Sequence, residues 1–240
     1  MEKEQFFNKL KADANKLNIE LTGIQLKKFY TYMNSLLEWN EKINLTAITE
    51  PEEIIKKHFI DSLTIKKYIR DNTSIIDVGT GAGFPGIPLN IISTDCKIVL
   101  LDALNKRLNF LNEVIKQDNL KNIETVHFRA EEAGKNKLYR EKFDVATSRA
   151  VAPLNILVEY LLPLVKIGGK CICMKGSNIE EELESSKKAI SILGGKIETI
   201  EEFCLPGTDM VRNIIVITKI NSTPAKYPRK AGTPSKEPIV

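Results

Sequence analysis

Residues 75–86 have the sequence Ile-Ile-Asp-Val-Gly-Thr-Gly-Ala-Gly-Phe-Pro-Gly, which indicates the fold class. The apolar residues at 75–78 predict a short buried strand, and a run of glycines follows at once. Glycine lets the backbone turn tightly and approach a ligand where a Cβ would clash. A glycine turn between a strand and a helix forms a ligand crevice at the carboxyl end of a parallel sheet. We therefore expect a ligand to bind beside this loop.

Two glycine patterns are readable in the loop. Gly79, Gly81 and Gly83 form GxGxG, whereas Gly81, Gly83 and Gly86 form the GxGxxG of dinucleotide-binding proteins. In the dinucleotide fingerprint the first glycine follows the strand directly, and here that glycine is Gly79. Asp77 would repel a pyrophosphate but suits a ligand with positive charge, such as the amino group and sulfonium of S-adenosylmethionine. The loop therefore favours S-adenosylmethionine over NAD, and a glycine turn without a ligand is the third alternative.

Strands and helices alternate from residue 74 onward. Apolar runs typical of buried strands lie at 75–78, 97–101, 123–127, 143–148, 170–174, 196–204 and 213–218. Patterns of helical period lie between them, as at Leu104, Leu108, Leu111 and Ile115. Parallel βαβ units, and hence a doubly wound α/β sheet, follow from this alternation. Only residues 205–211 join the last two strands, so we expect these two strands to be antiparallel.

The chain divides into three segments. The pattern of residues 1–70 predicts helices with buried apolar stripes, and that of residues 71–220 predicts the α/β domain. Residues 221–240 form a basic, proline-rich tail. In the third predicted helix His58 lies near Asp61 and Ser62. We interpret His58 mainly as a packing residue, with contact to an acceptor substrate as the alternative.

Composition narrows the class of protein. With 42% hydrophobic residues the 240-residue chain can bury a full core. No apolar run approaches the roughly 18 residues of a membrane span, and the charged N-terminus lacks the apolar region of a signal peptide. Four cysteines without a CxxC pair and two distant histidines predict neither a disulfide framework nor a metal site. We expect a cytoplasmic, metal-independent protein that does not bind membranes and works as a monomer.

Two further segments are candidates for contact with an adenosine group. Asp102 ends the second predicted strand, where a carboxylate can accept hydrogen bonds from both ribose hydroxyls, although it could instead cap the following helix. Ala130 and Glu131 follow the third strand, where an adenine would lie against the backbone with an acid near its exocyclic amine. A charged loop that leads into a helix is the alternative for this segment.

The end of the fourth predicted strand is the place expected for acceptor chemistry. Residues 147–154, Thr-Ser-Arg-Ala-Val-Ala-Pro-Leu, lack the amide or carboxylate that exocyclic-amine methylation uses, and Cys171 and Cys173 read as packing rather than as nucleophiles. A nitrogen with a free lone pair, such as guanine N7, needs no base, so catalysis would rest on alignment and electrostatics. Arg149 and Lys175 are the candidate residues. Arg149 could position the base, the phosphate or the cofactor carboxylate. Lys175 could bind the RNA through guanine O6 or a phosphate, with solvent exposure as the alternative.

All of the net charge of +4 lies near the end of the chain. From Lys219 onward there are five bases and one acid, whereas residues 1–218 hold 30 of each. Spaced cations on a stiff, proline-rich backbone can follow a nucleic acid strand. We therefore expect Arg229, Lys230 and Lys236 to contact phosphates, and a solvated tail is the alternative.

Taken together, these residues resemble the 16S rRNA guanine-N7 methyltransferase G family, also called the glucose-inhibited division protein B family. The stretches that carry the resemblance are WNEKINLTAITEPEEIIKKHFIDSL (39–63), IIDVGTGAGFPGIPL (75–89), LLDALNKRLNFL (100–111), FRAEEAG (128–134), FDVATSRAVAPL (143–154), MKG (174–176) and YPRKAGTPSKEPI (227–239). They occur in order and cover most of the chain.

The resemblance implies a class I S-adenosylmethionine-dependent methyltransferase: a Rossmann-like, mostly parallel seven-stranded sheet with an antiparallel last strand and an N-terminal helical extension. It implies methylation of a guanine N7 in the decoding-region loop of 16S rRNA in the small ribosomal subunit. It assigns cofactor contacts to a set of residues that the glycine loop and strand ends also indicate: Gly79, Gly81, Phe84, Asp102, Ala130, Glu131 and Arg149. The alternatives are a small-molecule methyltransferase and a non-catalytic nucleotide-sensing regulator.

Overall fold

The computed structural model describes residues 1–239. Its α-helices are α1 (Lys3–Asn15), α2 (Gly23–Asn40), α3 (Pro51–Ile54), α4 (Asp61–Leu63), α5 (Gly86–Ile92), α6 (Asn105–Gln117), α7 (Ala130–Ala133), α8 (Leu154–Leu161), α9 (Glu180–Ile192) and α10 (Thr233–Lys236). A π-helix, Ile55–Ile60, joins α3 to α4 without a break, and short 3-10 helices lie at Lys66–Tyr68 and Leu162–Leu164. The predicted helical N-terminal extension is therefore present.

One sheet of seven strands forms the centre of the molecule, in the order β3-β2-β1-β4-β5-β7-β6. The strands are β1 (Ser74–Val78), β2 (Lys97–Asp102), β3 (Ile123–His127), β4 (Phe143–Arg149), β5 (Val165–Lys175), β6 (Gly195–Cys204) and β7 (Val211–Lys219). The first five pair in parallel, and β7 runs antiparallel to both neighbours. The mostly parallel sheet with an antiparallel last strand is confirmed.

Alternate side chains of the central strands face two apolar cores. Ile75 of β1 belongs to the core that packs against α1, α2, α5 and α6, whereas Ile76 belongs to the core beneath α8 and α9. Cys171 and Cys173 both lie in the second core and are fully buried, as expected for packing residues. The period of two along each strand thus fixes which helices cover which face.

An aromatic cluster attaches the N-terminal helices to the glycine loop. The ring of Phe59, in the π-helix, lies 5.0 Å from that of Phe29 and 5.5 Å from that of Tyr32. Tyr32 in turn lies 5.4 Å from Phe84, and its hydroxyl donates a hydrogen bond to the carbonyl of Ala82. The helical extension therefore supports the loop directly.

Residues 221–239 fold back onto the α/β domain instead of extending from it. The fully buried Lys219 ammonium donates to the Leu162 carbonyl at 2.6 Å. Arg140 donates to the carbonyls of Thr223 and Tyr227, at 2.6 and 2.7 Å. These bonds hold the beginning of the segment against the body. Across residues 1–239 no helix is long and apolar enough to cross a membrane.

Candidate functional site

A cavity of about 550 Å³ opens at the carboxyl ends of β1, β2 and β4, and we call it the first cavity. The predicted ligand residues that line it are Gly79, Gly81, Phe84, Asp102, Ala130, Glu131 and Arg149. These residues come from four separate stretches of sequence, and parallel strands bring them together because their carboxyl ends share one edge. Seven of the eight predicted cofactor-binding positions therefore lie around one space.

The glycine loop needs glycine at its first position. Gly79 has a φ of +68°, a left-handed conformation that side chains rarely adopt, and a Cβ there would lie 2.7 Å from Cγ2 of Val151. Gly81 also has a positive φ, of +61°, but an added Cβ would meet nothing closer than 3.9 Å. The backbone thus approaches the cavity closely, a cradle of the kind that nucleotide-like ligands use.

Asp77 is the one predicted ligand residue that does not line the first cavity. It is fully buried, and its Oδ2 accepts hydrogen bonds from the hydroxyl of Thr80 and the N–H of Gly86, at 2.7 and 2.9 Å. Burial raises the pKa of this carboxyl to about 6. The prediction of direct cofactor contact is corrected here: Asp77 spans the two ends of the loop from behind and sets its shape.

Asp102 is oriented towards the loop by three donors. Its Oδ2 accepts from the N–H of Gly81 at 3.0 Å and from Arg107 at 3.4 Å, and its Oδ1 accepts from the N–H of Leu104 at 2.9 Å. A carboxylate has about four lone-pair sites, so one acceptor position remains. Asp102 both caps the turn after β2 and presents an acceptor to the first cavity.

The C-terminal segment lines the first cavity beside Glu131. The N–H of Gly232 donates to Oε1 of Glu131 at 2.9 Å, and Gly232 and Ser235 both line the space. The hydroxyls of Ser235 and Tyr160 lie 3.2 Å apart. Composition predicts phosphate contacts for the basic residues of this segment, and the structure shows in addition that Gly232 and Ser235 line the first cavity.

Arg149 lies at the other end of the first cavity and is only 15% exposed. Its Nη1 donates to the Lys57 carbonyl at 2.8 Å and to Oδ2 of Asp61 at 3.0 Å, and its Nη2 lies 3.1 Å from Nδ1 of His58. The guanidinium and the His58 ring both stack on Phe84, at 4.9 and 4.4 Å. These contacts hold Arg149 in one orientation.

A second cavity of about 390 Å³ lies behind this arginine. His58, Arg149 and Ala150 line both cavities, and we call these three residues the shared wall. The other charged residues of the second cavity are Lys57, Asp61, Lys175 and Arg212. Asp61 is already paired to both Arg149 and Arg212, at 3.0 Å each. Lys57 and Lys175 pair with Glu53 and Glu182, which lie outside the lining. Four cations against these two acids and Asp61 leave one net positive charge, which suits an anionic group.

The structure separates the predicted RNA-binding residues into two groups. Lys175 lines the second cavity, is 10% exposed, and pairs with Glu182 at 2.6 Å. Arg229 forms a two-pronged ion pair with the fully buried Glu159, the shortest contact being 2.6 Å. Because a buried carboxylate holds this guanidinium, Arg229 anchors the C-terminal segment rather than presenting a free cation. Lys230 and Lys236 are exposed.

Sequence reasoning missed several residues of the first cavity, and it gave His58 contact with an acceptor substrate only as the alternative to packing. Thr46 and His58 come from the N-terminal extension, and Gly232 and Ser235 come from the C-terminal segment. The quoted stretches 39–63 and 227–239 contain all four, but nothing local to either stretch shows that the chain ends meet at the sheet. Among residues 1–239 no cluster of three or more metal-ligating side chains occurs.

Comparison with known proteins identifies the family. A family model described as rRNA small subunit methyltransferase G matches residues 25–211. The chain belongs to this family. It is 56% identical over 240 residues to the ribosomal RNA small subunit methyltransferase G of Acetivibrio thermocellus, with 99% of each chain covered. It is 50% identical over 237 residues to the enzyme of the same name from Clostridium perfringens strain 13, covering 98% of this chain and 99% of the relative.

Solved structures show the same fold at low sequence identity. The M. jannaschii protein TYW2, in complex with AdoMet, superposes with a TM-score of 0.56 at 17% identity, covering 72% of this chain and 80% of that one. The [4+2]-cyclase SpnF superposes with a TM-score of 0.58 at 13% identity, covering 82% of this chain and 96% of that one. The Rossmann-like class I methyltransferase fold is therefore confirmed, while the site must be judged from this chain's own residues.

The position of Ser235 generates a test of the first cavity. Ser235→Trp should weaken binding of S-adenosylhomocysteine by about tenfold or more, because an indole there would occupy space at the Glu131 end. Isothermal titration calorimetry measures the change. Ser222→Trp, at an exposed serine of the same segment away from the cavity, should leave the affinity within about twofold. Equal effects of the two substitutions would show that Ser235 does not face the ligand.

Proposed function

We propose that this protein transfers the methyl group of S-adenosylmethionine to the N7 of a guanine in the 16S rRNA of the small ribosomal subunit. The observation that supports this most is the shared wall: a cavity suited to an adenosine ligand adjoins a cationic cavity across His58, Arg149 and Ala150. Methyl transfer needs such an arrangement, because donor and acceptor must meet in line. Membership in the rRNA small subunit methyltransferase G family supports the substrate class.

The residues present fit the cofactor chemically. Asp102 and Glu131 offer carboxylate oxygens where hydroxyl and amine donors of an adenosine are expected, and Arg149 offers a cation at the far end. When bound, the cofactor supplies an electrophilic methyl group on a positively charged sulfur. At Gly79 and Gly81 the backbone faces the ligand without a Cβ, and the hydroxyl of Thr80 between them donates to Asp77.

The shared wall contains no group free to act as a general base. Burial and the charge of Arg149 lower the pKa of His58 to about 3, and its Nδ1 faces the guanidinium. Asp61 is held between Arg149 and Arg212. An acceptor with an ionisable proton would need such a base, whereas guanine N7 carries a free lone pair. The residues of the wall can align this lone pair with the methyl carbon and exclude water.

The second cavity fits a nucleotide as the acceptor. Lys57, Lys175 and Arg212 supply positive charge for a phosphate or for the guanine O6, and Ile48 and Met174 supply apolar surface for a base. Lys175 is fixed by the Ala152 carbonyl at 2.7 Å as well as by Glu182. In this proposal Arg149 and Lys175 position the acceptor, and neither residue moves a proton.

The experiment that tests the function is methyl transfer from labelled cofactor to naked 16S rRNA, to small subunits and to assembly intermediates, followed by mapping of the modified nucleotide. Borohydride and aniline cleave RNA at N7-methylguanosine, so the proposal predicts one cleavage site that depends on this protein. Label at another guanine atom would contradict the N7 assignment. Turnover on small acceptors alone would favour the small-molecule alternative, and the absence of any turnover would favour a regulator.

The proposal also includes the cell compartment and the oligomeric state. We propose a cytoplasmic location, because the proposed substrate is ribosomal RNA. We expect a monomer of 27.0 kDa, because the exposed large apolar side chains of the described residues come from separate elements and loops: Ile24, Leu104, Leu138, Val151, Ile167, Ile200 and Ile220. Sedimentation of a species of twice that mass would contradict a monomer.

The role assigned to Lys175 generates a second test. Lys175→Met should lower kcat/KM for the RNA substrate by about tenfold to a hundredfold, because a charge at the acceptor is lost. The affinity for S-adenosylhomocysteine should not change, because Lys175 lines only the second cavity. Lys170→Met is the matched control, since Lys170 lies on the same strand and pairs with Glu198 instead. Comparable losses in both variants would reject the acceptor role.

The exposed cations of the C-terminal segment generate a third test. We propose that Lys230 and Lys236, and not Arg229, contact RNA phosphates. Replacing both by Gln should weaken RNA binding and lower the slope of log K against log salt by about one to two units. Lys187→Gln with Lys188→Gln, a pair of exposed lysines on α9, is the control and should leave the slope unchanged. An identical slope in both double variants would mean that the segment makes no phosphate contact.

A further inference from the structure

The loop before α3 presents Thr46 to the first cavity in a fixed position. Oδ1 of Asn40 accepts from the N–H groups of Leu45 and Thr46, at 2.8 and 2.9 Å. The hydroxyl oxygen of Thr46 accepts from the N–H of Ile48 at 3.0 Å. Thr46 is half-buried and lines the first cavity. Its backbone and one of its two oxygen lone pairs are therefore already committed.

The contacts of His58 decide which ring nitrogen carries its proton. Nη2 of Arg149 lies 3.1 Å from Nδ1, and a guanidinium can only donate, so Nδ1 is an acceptor. The ring is neutral, because burial and the nearby guanidinium lower its pKa to about 3. Nε2 must then carry the single proton. Since Nε2 lies 2.8 Å from the Thr46 hydroxyl oxygen, His58 donates to Thr46.

Both lone pairs of the Thr46 hydroxyl are thus filled, one by Ile48 and one by His58. Its own proton is left to donate, and within residues 1–239 no side chain or carbonyl accepts it. A hydroxyl whose lone pairs are both engaged cannot turn round to become an acceptor. The chain of bonds from Arg149 through His58 therefore makes Thr46 a donor at the cavity.

Arg149 presents free donors at the same end. Three of its five N–H groups bind Lys57, Asp61 and His58, which leaves the Nε–H and one Nη2–H. The nearest acid, Asp61, is already shared with Arg212. A cluster of a guanidinium and a hydroxyl donor without a free acceptor favours an anion. S-Adenosylmethionine has a single anionic group, the carboxylate of its amino-acid end.

We propose that the Thr46 hydroxyl donates a hydrogen bond to the carboxylate of the bound cofactor, beside the free N–H groups of Arg149. The inference rests on the proposed cofactor and adds a binding residue from the N-terminal extension. It also gives His58 a positioning role. Its fixed tautomer orients the Thr46 hydroxyl as a donor, and His58 takes no part in the methyl transfer itself.

The test compares two ligands by isothermal titration calorimetry with the full chain. S-Adenosylhomocysteine carries the amino-acid end, and 5′-methylthioadenosine lacks it. Thr46→Val should weaken S-adenosylhomocysteine binding by about tenfold or more, because a hydrogen bond to a charged group is lost. It should leave the affinity for 5′-methylthioadenosine within about twofold of the unaltered protein. Thr46→Ser, which keeps the donor, should restore the affinity to within about threefold.

Thr49→Val is the matched control, because Thr49 is an exposed threonine three residues further along the same loop. It should change neither affinity. An equal loss for both ligands in Thr46→Val would show a structural effect and would overturn the proposal, as would no loss for either. Failure of the unaltered protein to bind S-adenosylhomocysteine would instead refute the proposed cofactor, so the two failures are distinguishable.

Discussion

The ion pair between Asp61 and Arg149 is the interaction on which the site depends. Asp61 is the first residue of α4, directly after the π-helix, and Arg149 is the last residue of the central strand β4. Their 3.0 Å contact therefore joins the N-terminal extension to the carboxyl ends of the strands. The π-helix contributes its Lys57 carbonyl and the His58 ring to the same guanidinium. π-Helical turns are frequent at functional sites because they displace individual groups from the regular ladder. Through these contacts the N-terminal extension holds Arg149, with His58 beside it, in the shared wall.

The two ends of the chain complete the site from opposite sides. The N-terminal extension forms the Arg149 end, and the C-terminal segment closes the Glu131 end through Gly232. Forming a buried ion pair requires the desolvation of both charges, which is unfavourable. Once the pair is formed, removing one partner is strongly destabilising, because the other charge stays buried and unpaired. The pair between Arg229 and the fully buried Glu159 therefore specifies where the C-terminal segment docks. The excess of basic residues near the end of the chain therefore serves partly to anchor that segment, and only some of these cations stay exposed.

Local pattern was enough to predict the strands, the glycine loop and seven cavity residues, because strand ends converge whenever parallel strands share a sheet. It was not enough for Asp77, since the adjacent Ile76 and Val78 do not reveal that the carboxylate turns back towards Thr80 and Gly86. Nor could composition show that Arg229 meets an acid 70 residues away. Thr46 was missed for the same reason: its role comes from contacts across the fold, and a lone threonine in a loop carries no signal.

One arginine, Arg149, is held by Asp61 and lines both cavities. The most direct test is Asp61→Asn, with S-adenosylhomocysteine affinity and kcat/KM for RNA measured on the same folded preparation. Because Arg149 and Arg212 both lose their counter-charge, we expect each quantity to fall by about tenfold or more. Loss of RNA methylation with unchanged cofactor affinity would contradict the account, since Arg149 would then belong to the acceptor side alone.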